Sequence, residues 1–210
     1  MSLTDPQLAG IRATATRHAV YGLVVLSGLS FAAAIVGAQG ATRAGAPNVQ
    51  LARAVAEVEQ LDALRSTLAR TFAAGGVSAT DSTFDQVCKP VKMQAMSVAK
   101  ANGWSIAQLA ERYRNPENAL DAEAARVFGA MQRDPEMMGQ WVHATRDGST
   151  GVRYFRRITV ESSCLACHGA RAERPAFVQQ RYPADKAYGF SAGDLRGVYS
   201  VFLPDSIRRK

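Results

Sequence analysis

Apolar residues recur at the spacing of an α-helix in the segment that follows residue 50. Seven of them fall on one helical stripe: Leu51, Val55, Val58, Leu61, Leu64, Leu68 and Phe72. This period predicts a long amphipathic helix over 51–72. Gly75-Gly76 follows, and glycines at this point are typical of a helix end.

A second helical stripe begins near "TDSTFDQ", where Asp81 or Ser82 can cap the helix. Its apolar positions would be Phe84, Val87, Cys88, Val91, Ala95 and Val98. Pro90 lies inside this stripe and predicts a kink or a restart just after Cys88, because proline lacks the N–H that a helix interior needs.

The chain changes to strand patterns further on. "QWVHATRDGSTGVRYFRRITV" predicts a β-hairpin, with strands over 141–145 and 152–160 and a turn at Asp147-Gly148. "GVYSVFL" (197–203) predicts a last strand.

Two segments between the helices and the hairpin complete the pattern. "WSIAQLAERY" (104–113) is ambiguous between helix and strand on propensity alone. "RNPENALD" (114–121) has turn chemistry, and Asp121 or Asn118 can cap a helix over 122–133. Together the elements predict an α+β fold, with long N-terminal helices followed by a hairpin and a last strand.

The N-terminal residues predict export from the cytoplasm. Arg12 and Arg17 precede an uncharged run over 19–38, and the small residues Val36 and Ala38 suit a cleavage site. The run is also close to the ~20 residues needed to span a bilayer, so an uncleaved anchor is the alternative. We expect a signal or anchor helix over 1–38, a linker over 39–49 ("QGATRAGAPNV") and one domain over 50–210. The domain would be periplasmic, or anchored and facing the periplasm.

Charge and cysteine count exclude several classes of protein. A net charge of +7 without a long basic block does not indicate a nucleic-acid arm. Three cysteines cannot all pair with one another, so a disulfide framework is not expected. We expect membrane contact only through the N-terminal segment.

"ESSCLACHG" (161–169) contains the pattern C-x-x-C-H, formed by Cys164, Cys167 and His168. At this composition, chance predicts about 6 such matches in 10,000 chains of this length. A zinc site would need further ligands, and only the unpaired Cys88 and His143 remain for it. A dithiol redox motif needs a thioredoxin-like βαβ unit, which the pattern does not show.

A c-type haem uses all three residues. Cys164 and Cys167, three positions apart on one helical turn, match the two vinyl groups to which they would form thioethers. His168 then lies next to them as the proximal iron ligand. Covalent haem attachment outside the cytoplasm agrees with the export signal, so one covalent haem c is the expected cofactor.

The quoted motif and three others occur in a recognisable order. "CLACHG", "RNPENALD", "YPADKAYGF" (182–190) and "GDLRGVYSVFLP" (193–204) together resemble a family of exported c-type haem domains with a PAS-like fold, whose type member is a cyanobacterial haem protein with His/Cys axial ligation. The resemblance covers residues 50 to 205. It implies a PAS-like antiparallel sheet flanked by helices, with 104–113 as a strand.

The resemblance also implies that a cysteine on an N-terminal helix is the second axial ligand, and only Cys88 corresponds. The alternative is that Cys88 is a small buried residue of its helix. The rival ligands would then be Met93, Met96, Met137, Met138 and His143. Arg114 is a candidate partner for a haem propionate, although an arginine in a turn is often simply solvated.

Three roles remain for such a haem. The first is a sensor of redox state or of a diatomic gas, which passes the change to a partner protein; the second is a periplasmic electron-transfer cytochrome. The third, an enzyme such as a peroxidase, would need a distal acid–base pair that the sequence does not show, so we expect no enzyme. A thiolate ligand favours ferric iron and a low potential, which favours the sensor.

Overall fold

The computed structural model describes residues 46–76 and 78–208, with side chains described from residue 49 to residue 207. The predicted export segment over 1–38 lies outside these residues, as does most of the predicted linker. Within the described ranges, none of the helices is long and apolar enough to cross a membrane.

The two long helices follow the predicted stripes. α1 covers Ala46–Ala74 and α2 covers Asp81–Asn102. α1 begins at Ala46, within the segment predicted as a linker; Pro47 is tolerated there because the first turn needs no N–H partner at that position.

Two details of α2 differ from the prediction. Its N-cap is Thr80, because the hydroxyl of Thr80 accepts the backbone N–H of Thr83 and the side chain of Thr83 bonds back to the backbone of Thr80. The helix also runs through Pro90 without the restart that was one of the two outcomes predicted there, and the kink stays a prediction. It ends at Gly103, whose left-handed backbone (φ 67°) closes the last turn.

Four strands form one antiparallel sheet: β1 (Ser105–Leu109), β2 (Gly139–Arg146), β3 (Ser149–Thr159) and β4 (Leu195–Pro204). Their order in the sheet is β1-β4-β3-β2. The hairpin and the last strand are confirmed, and 104–113 contains a strand. The turn at Asp147-Gly148 has two positive φ angles, 49° and 75°, as a two-residue hairpin requires.

The shorter helices are α3 (Ala122–Arg133), α4 (Leu165–His168), α5 (Ala176–Arg181) and α6 (Asp205–Arg208). α3 has the predicted bounds and the predicted cap, Asp121, whose carboxylate accepts the N–H of Ala124 at 2.9 Å. The predicted α+β class is therefore confirmed.

Helices cover both faces of the sheet. α1, the end of α2 and one side of β3 and β4 form one apolar cluster, which contains Val58, Leu61, Tyr154 and Val201. α3 packs on the other face through Val127, Phe128 and Met131. The first half of α2 belongs to neither cluster, and it lines the cavity described next.

Candidate haem site

A cavity of about 460 Å³ lies between α1, α2, β1, the end of β3, the start of β4 and the C-x-x-C-H segment. Its size is within the range of roughly 300–1,000 Å³ that is common for small-molecule and cofactor sites. Most of its lining is apolar, and the apolar lining residues include Ala69, Phe72, Phe84, Val87, Val91, Ile106, Leu109, Ile158, Val160 and Phe177.

The apolar stripe of α2 forms one side of this cavity. Five of its six predicted positions, all but Val98, line the cavity, and of the six only Val91 and Val98 are buried. The period correctly located the apolar face of α2, but what most of this face covers is a cavity and not a packed core.

The C-x-x-C-H segment forms the facing side. Cys164, Cys167 and His168 all line the cavity. The segment follows β3 directly, starts with a 3-10 turn at Ser162–Cys164 and continues into the single helical turn α4. A Cβ added to Gly169 would lie 2.7 Å from the carbonyl oxygen of Leu165, so only glycine fits where the chain leaves this turn.

A hydrogen bond from one ring nitrogen fixes the orientation of His168. Its Nδ1 lies 2.7 Å from the carbonyl oxygen of Ala187, which can only accept, so Nδ1 donates and Nε2 keeps the free lone pair. Burial lowers the pKa of His168 well below its usual value, and the positive charges of Arg196 and Arg114 lower it further. The ring is therefore neutral, which is the form that binds a metal, and its second nitrogen is occupied as in most metal-binding histidines.

Arg114 contacts this segment rather than solvent. Its Nη2 donates to the carbonyl oxygen of Cys167 at 2.7 Å, and its Nε lies 3.6 Å from a carboxylate oxygen of Asp185. Nη2 is also 3.3 Å from Nδ1 of His168, but both atoms are donors, so this approach is a close contact and not a hydrogen bond. Arg114 lines the cavity, and the prediction that it binds a propionate stays a prediction.

Asp185 connects the pieces of this wall. Its side chain is fully buried, accepts the N–H of Ala187 at 2.9 Å and pairs with Arg174 at 3.1 Å. The same carboxylate thus orients Arg114 and the backbone whose carbonyl fixes His168. Sequence reasoning did not assign roles to Asp185 and Ala187, although both lie inside the quoted motif "YPADKAYGF".

The two cysteines of the motif differ in their surroundings. Arg65 of α1 approaches the sulfur of Cys164 with its Nη1 at 3.5 Å. Burial raises the pKa of Cys167, although the charge of Arg114 opposes the rise. A third group nearby, the hydroxyl of Ser163, is buried in the wall and has no hydrogen-bond partner among the described residues.

Cys88 lines the same cavity from α2. Its thiol is accessible from the cavity, yet the surrounding protein still desolvates the sulfur and raises its pKa to about 11. The predicted inward orientation of Cys88 is thus an orientation into the cavity.

Of the rival ligands, Met96 alone is part of the cavity lining in the described part of the chain. Met93 and Met138 are exposed, and Met137 packs beside the cluster under α3. His143 lies on the edge strand β2, paired with Val152 in the sheet and exposed.

The residues present fit a haem better than a metal ion bound by protein alone. No three Cys, His, Asp or Glu side chains in 46–76 and 78–208 are arranged to hold an ion between them. A porphyrin brings four nitrogens of its own, so a neutral histidine and one further donor are enough for its iron. The apolar walls suit the macrocycle, and the unpartnered Ser163 hydroxyl is a polar group left for a ligand.

Comparisons with known proteins agree with this reading. Residues 43–204 match the sequence model of the Tll0287-like family. Among solved structures, the crystal structure of the cyanobacterial haem protein Tll0287 is 46% identical, with a TM-score of 0.64 over 74% of this chain and 95% of that chain. No curated protein matches. Because the family model covers most of its length, this chain belongs to the Tll0287-like family.

Proposed function

We propose that this chain is a c-type haem protein in which Cys164 and Cys167 hold the haem and His168 binds its iron. One observation supports this most directly: both thiols and a neutral histidine, whose Nδ1 is already bonded, line one wall of an apolar cavity. The relationship to a cyanobacterial haem protein gives independent support.

The covalent step would be a simple addition. Each thiol would add across one vinyl group, its sulfur bonding to one carbon and its hydrogen to the other, so nothing would be released. The three-residue offset of Cys164 and Cys167 places both sulfurs on the same turn for this purpose.

Cys88 is the proposed second axial ligand. It lines the cavity from α2, and Met96 is the remaining rival with access to the cavity. When bound, the haem supplies an iron that exchanges one electron and, where an axial position is free, binds a diatomic gas.

We further propose that the protein is a sensor of redox state or of a diatomic gas. Cys88 is on α2, which has few buried residues and packs on α1 through Val98. A change in the ligation of Cys88 would therefore change the packing of α2 on α1. The alternative is a periplasmic electron-transfer cytochrome, for which unchanging ligation would be preferred. No enzymatic activity is part of this proposal.

Three further points belong to this proposal. The four-stranded antiparallel sheet with helices on both faces is compatible with a PAS-like fold. Export by residues 1–38 would put the domain in the periplasm, free or anchored, where haem c is matured. The partner is then a redox protein or a signalling protein outside the cytoplasm, and not a nucleic acid.

The first test is extraction of the purified full-length protein with acidified acetone. Two thioethers should keep the colour with the protein, and Cys164→Ala with Cys167→Ala should release it into the solvent. Met93→Ala, an exposed residue outside the cavity lining, is the matched control and should behave as the unaltered protein. Colour that leaves the unaltered protein, or bound zinc in its place, contradicts the proposal.

The second test separates the sensor from the cytochrome. We expect carbon monoxide to bind the ferrous form and to shift its main absorption band, because a sensor must open an axial position. A ferrous spectrum that carbon monoxide does not change, together with fast electron exchange, would establish the electron carrier instead.

A further inference from the structure

Three guanidinium groups line the cavity, and two of them have partners in the protein. Arg65 donates from Nε to a carboxylate oxygen of Asp62 at 2.8 Å. Arg114 donates to the carbonyl of Cys167 and lies 3.6 Å from Asp185. Both charges are therefore offset where they are buried.

Arg196, the third, is different. It is on β4, within the cavity lining, and its side chain is largely buried. Its Nη1 donates to the carbonyl oxygen of Arg112 at 2.9 Å. Over residues 46–76 and 78–208, no carboxylate lies within ion-pair distance of its guanidinium.

The groups around Arg196 add positive charge. Burial and the positive charges of Arg114 and Arg112 together lower the pKa of Arg196 to about 10, against the opposing charge of Asp185. The carboxylate near Arg112, that of Asp194, is at the limit of pairing with Arg112 itself, at 4.0 Å. A buried guanidinium among like charges is unfavourable unless an anion joins it.

We infer that Arg196 binds a carboxylate of the ligand in this cavity. The inference rests on the proposed function, under which that carboxylate is a haem propionate. A haem has an apolar ring and two carboxylates. This cavity has apolar walls, which suit the ring, and the unpaired guanidinium of Arg196, which suits a carboxylate. A planar guanidinium binds a carboxylate through two parallel N–H bonds, and Arg196 has its Nε and Nη2 without a protein partner. Arg114, the other candidate for a propionate, already donates to the carbonyl of Cys167 and lies beside Asp185.

The experiment uses the full-length haem-loaded protein and the variant Arg196→Gln. Glutamine keeps hydrogen-bonding atoms but removes the charge. The readout is the propionate bending band in the resonance Raman spectrum, which reports the hydrogen bonds of the carboxylate. We expect this band to shift in Arg196→Gln, and we expect the reduction potential to fall and to become pH-dependent near neutrality, because an unpaired propionate takes up a proton more readily.

Arg112→Gln is the matched control. Arg112 is a neighbouring arginine outside the cavity lining, stacked on Phe190 at 3.5 Å, and its loss should leave the propionate band in place. Arg114→Gln should also leave that band in place while weakening the hold on the His168 segment.

The outcomes separate the two proposals. Protein without covalent haem refutes the proposed function. Covalent haem with an unchanged propionate band in Arg196→Gln, or a band that shifts in Arg114→Gln instead, overturns only the role of Arg196. If Arg196→Gln does not accumulate, Arg196→Lys replaces it: lysine keeps the charge but not the two parallel bonds, so the band should shift part of the way, and no shift overturns the inference.

Discussion

The two walls of the cavity are held in place by very different means. The motif wall consists of residues 161–169 and 185–190, and several hydrogen bonds join these two segments. Phe190 N–H donates to the carbonyl of His168 at 3.1 Å, Gly189 N–H to that of Gly169 at 2.6 Å, and the His168 ring to Ala187. The geometry of His168 is thus set by the protein before any ligand binds.

The helical wall, residues 84–96 of α2, has few such ties. Over all of α2 only Thr83, Val91 and Val98 are buried, and Cys88 and Met96 are both exposed. Its start is attached to α5 by Arg181, which pairs with Asp81 at 3.0 Å and with Asp85 at 3.9 Å, and by the ring contact between Phe84 and Phe177. A preformed wall suits a permanent ligand, whereas a loosely held wall suits a ligand whose bond to iron can change.

The largest expected effect is at the helical wall. If Cys88 is the second axial ligand, Cys88→Ala should abolish the electron-paramagnetic signature of a low-spin His/thiolate haem and raise the reduction potential, because the electron-donating thiolate is lost. The haem should stay covalently attached, since Cys164 and Cys167 are unchanged.

Met96→Ala is the control for this substitution, because Met96 is the other sulfur in the cavity lining. It should keep the thiolate signature. If Cys88→Ala leaves the spectrum unchanged and Met96→Ala changes it, the ligand is Met96.

The next effect is at the motif wall. Asp185→Asn should lower the free energy of unfolding by about 3–5 kcal/mol, because it leaves the buried Arg174 and Arg114 without their carboxylate. Urea unfolding of the haem-loaded protein measures the loss. Asp134→Asn, at an exposed carboxylate that accepts one backbone N–H, should cost less than about 1 kcal/mol. Equal losses in the two variants would mean that the motif wall is not specially held.

A smaller loss should follow removal of packing from the helical wall. Val91→Ala deletes two buried carbon atoms of α2 and should lower the free energy of unfolding by about 1–2 kcal/mol. Met93→Ala, two residues away and exposed, should change it by less than about 0.5 kcal/mol. A Val91→Ala loss as large as that of Asp185→Asn would remove the contrast between the walls.

The smallest effect concerns the tie between α1 and the motif wall. A hydrogen bond from Arg70 lowers the pKa of Glu161 and outweighs the opposing effect of its burial. Its stabilisation is therefore present above the unfolded-state pKa of about 4.3 and is lost as the pH falls through the folded-state value.

Glu161→Gln should thus be slightly less stable than the unaltered protein at pH 7, and the two should converge in acid. Thermal unfolding between pH 7 and pH 3 measures this difference. Glu136→Gln, at an exposed carboxylate, should show no such convergence. A difference for Glu161→Gln that persists at pH 3 would contradict the assignment to the Arg70 pair.

The sequence by itself determined the elements and the chemistry that local order can encode. The helical periods placed α1 and α2, the cap at Asp121 placed α3, and Asp147-Gly148 placed the hairpin, because caps and turns are decided by neighbouring residues. The identity of Cys164, Cys167 and His168 as one candidate site followed from their spacing alone.

Only the tertiary structure decided what surrounds these elements. Periodicity shows that one face of α2 is apolar, but whether that face meets a core or a cavity depends on where β1 and the motif wall lie. Arg114 lies in the motif "RNPENALD" and Arg196 in the motif "GDLRGVYSVFLP". The sequence does not show which of the two charges is offset by a carboxylate. The position of Asp185 decides this. Asp185 is 71 residues from Arg114 along the chain, yet the fold brings its carboxylate to 3.6 Å from Arg114 and not into ion-pair contact with Arg196.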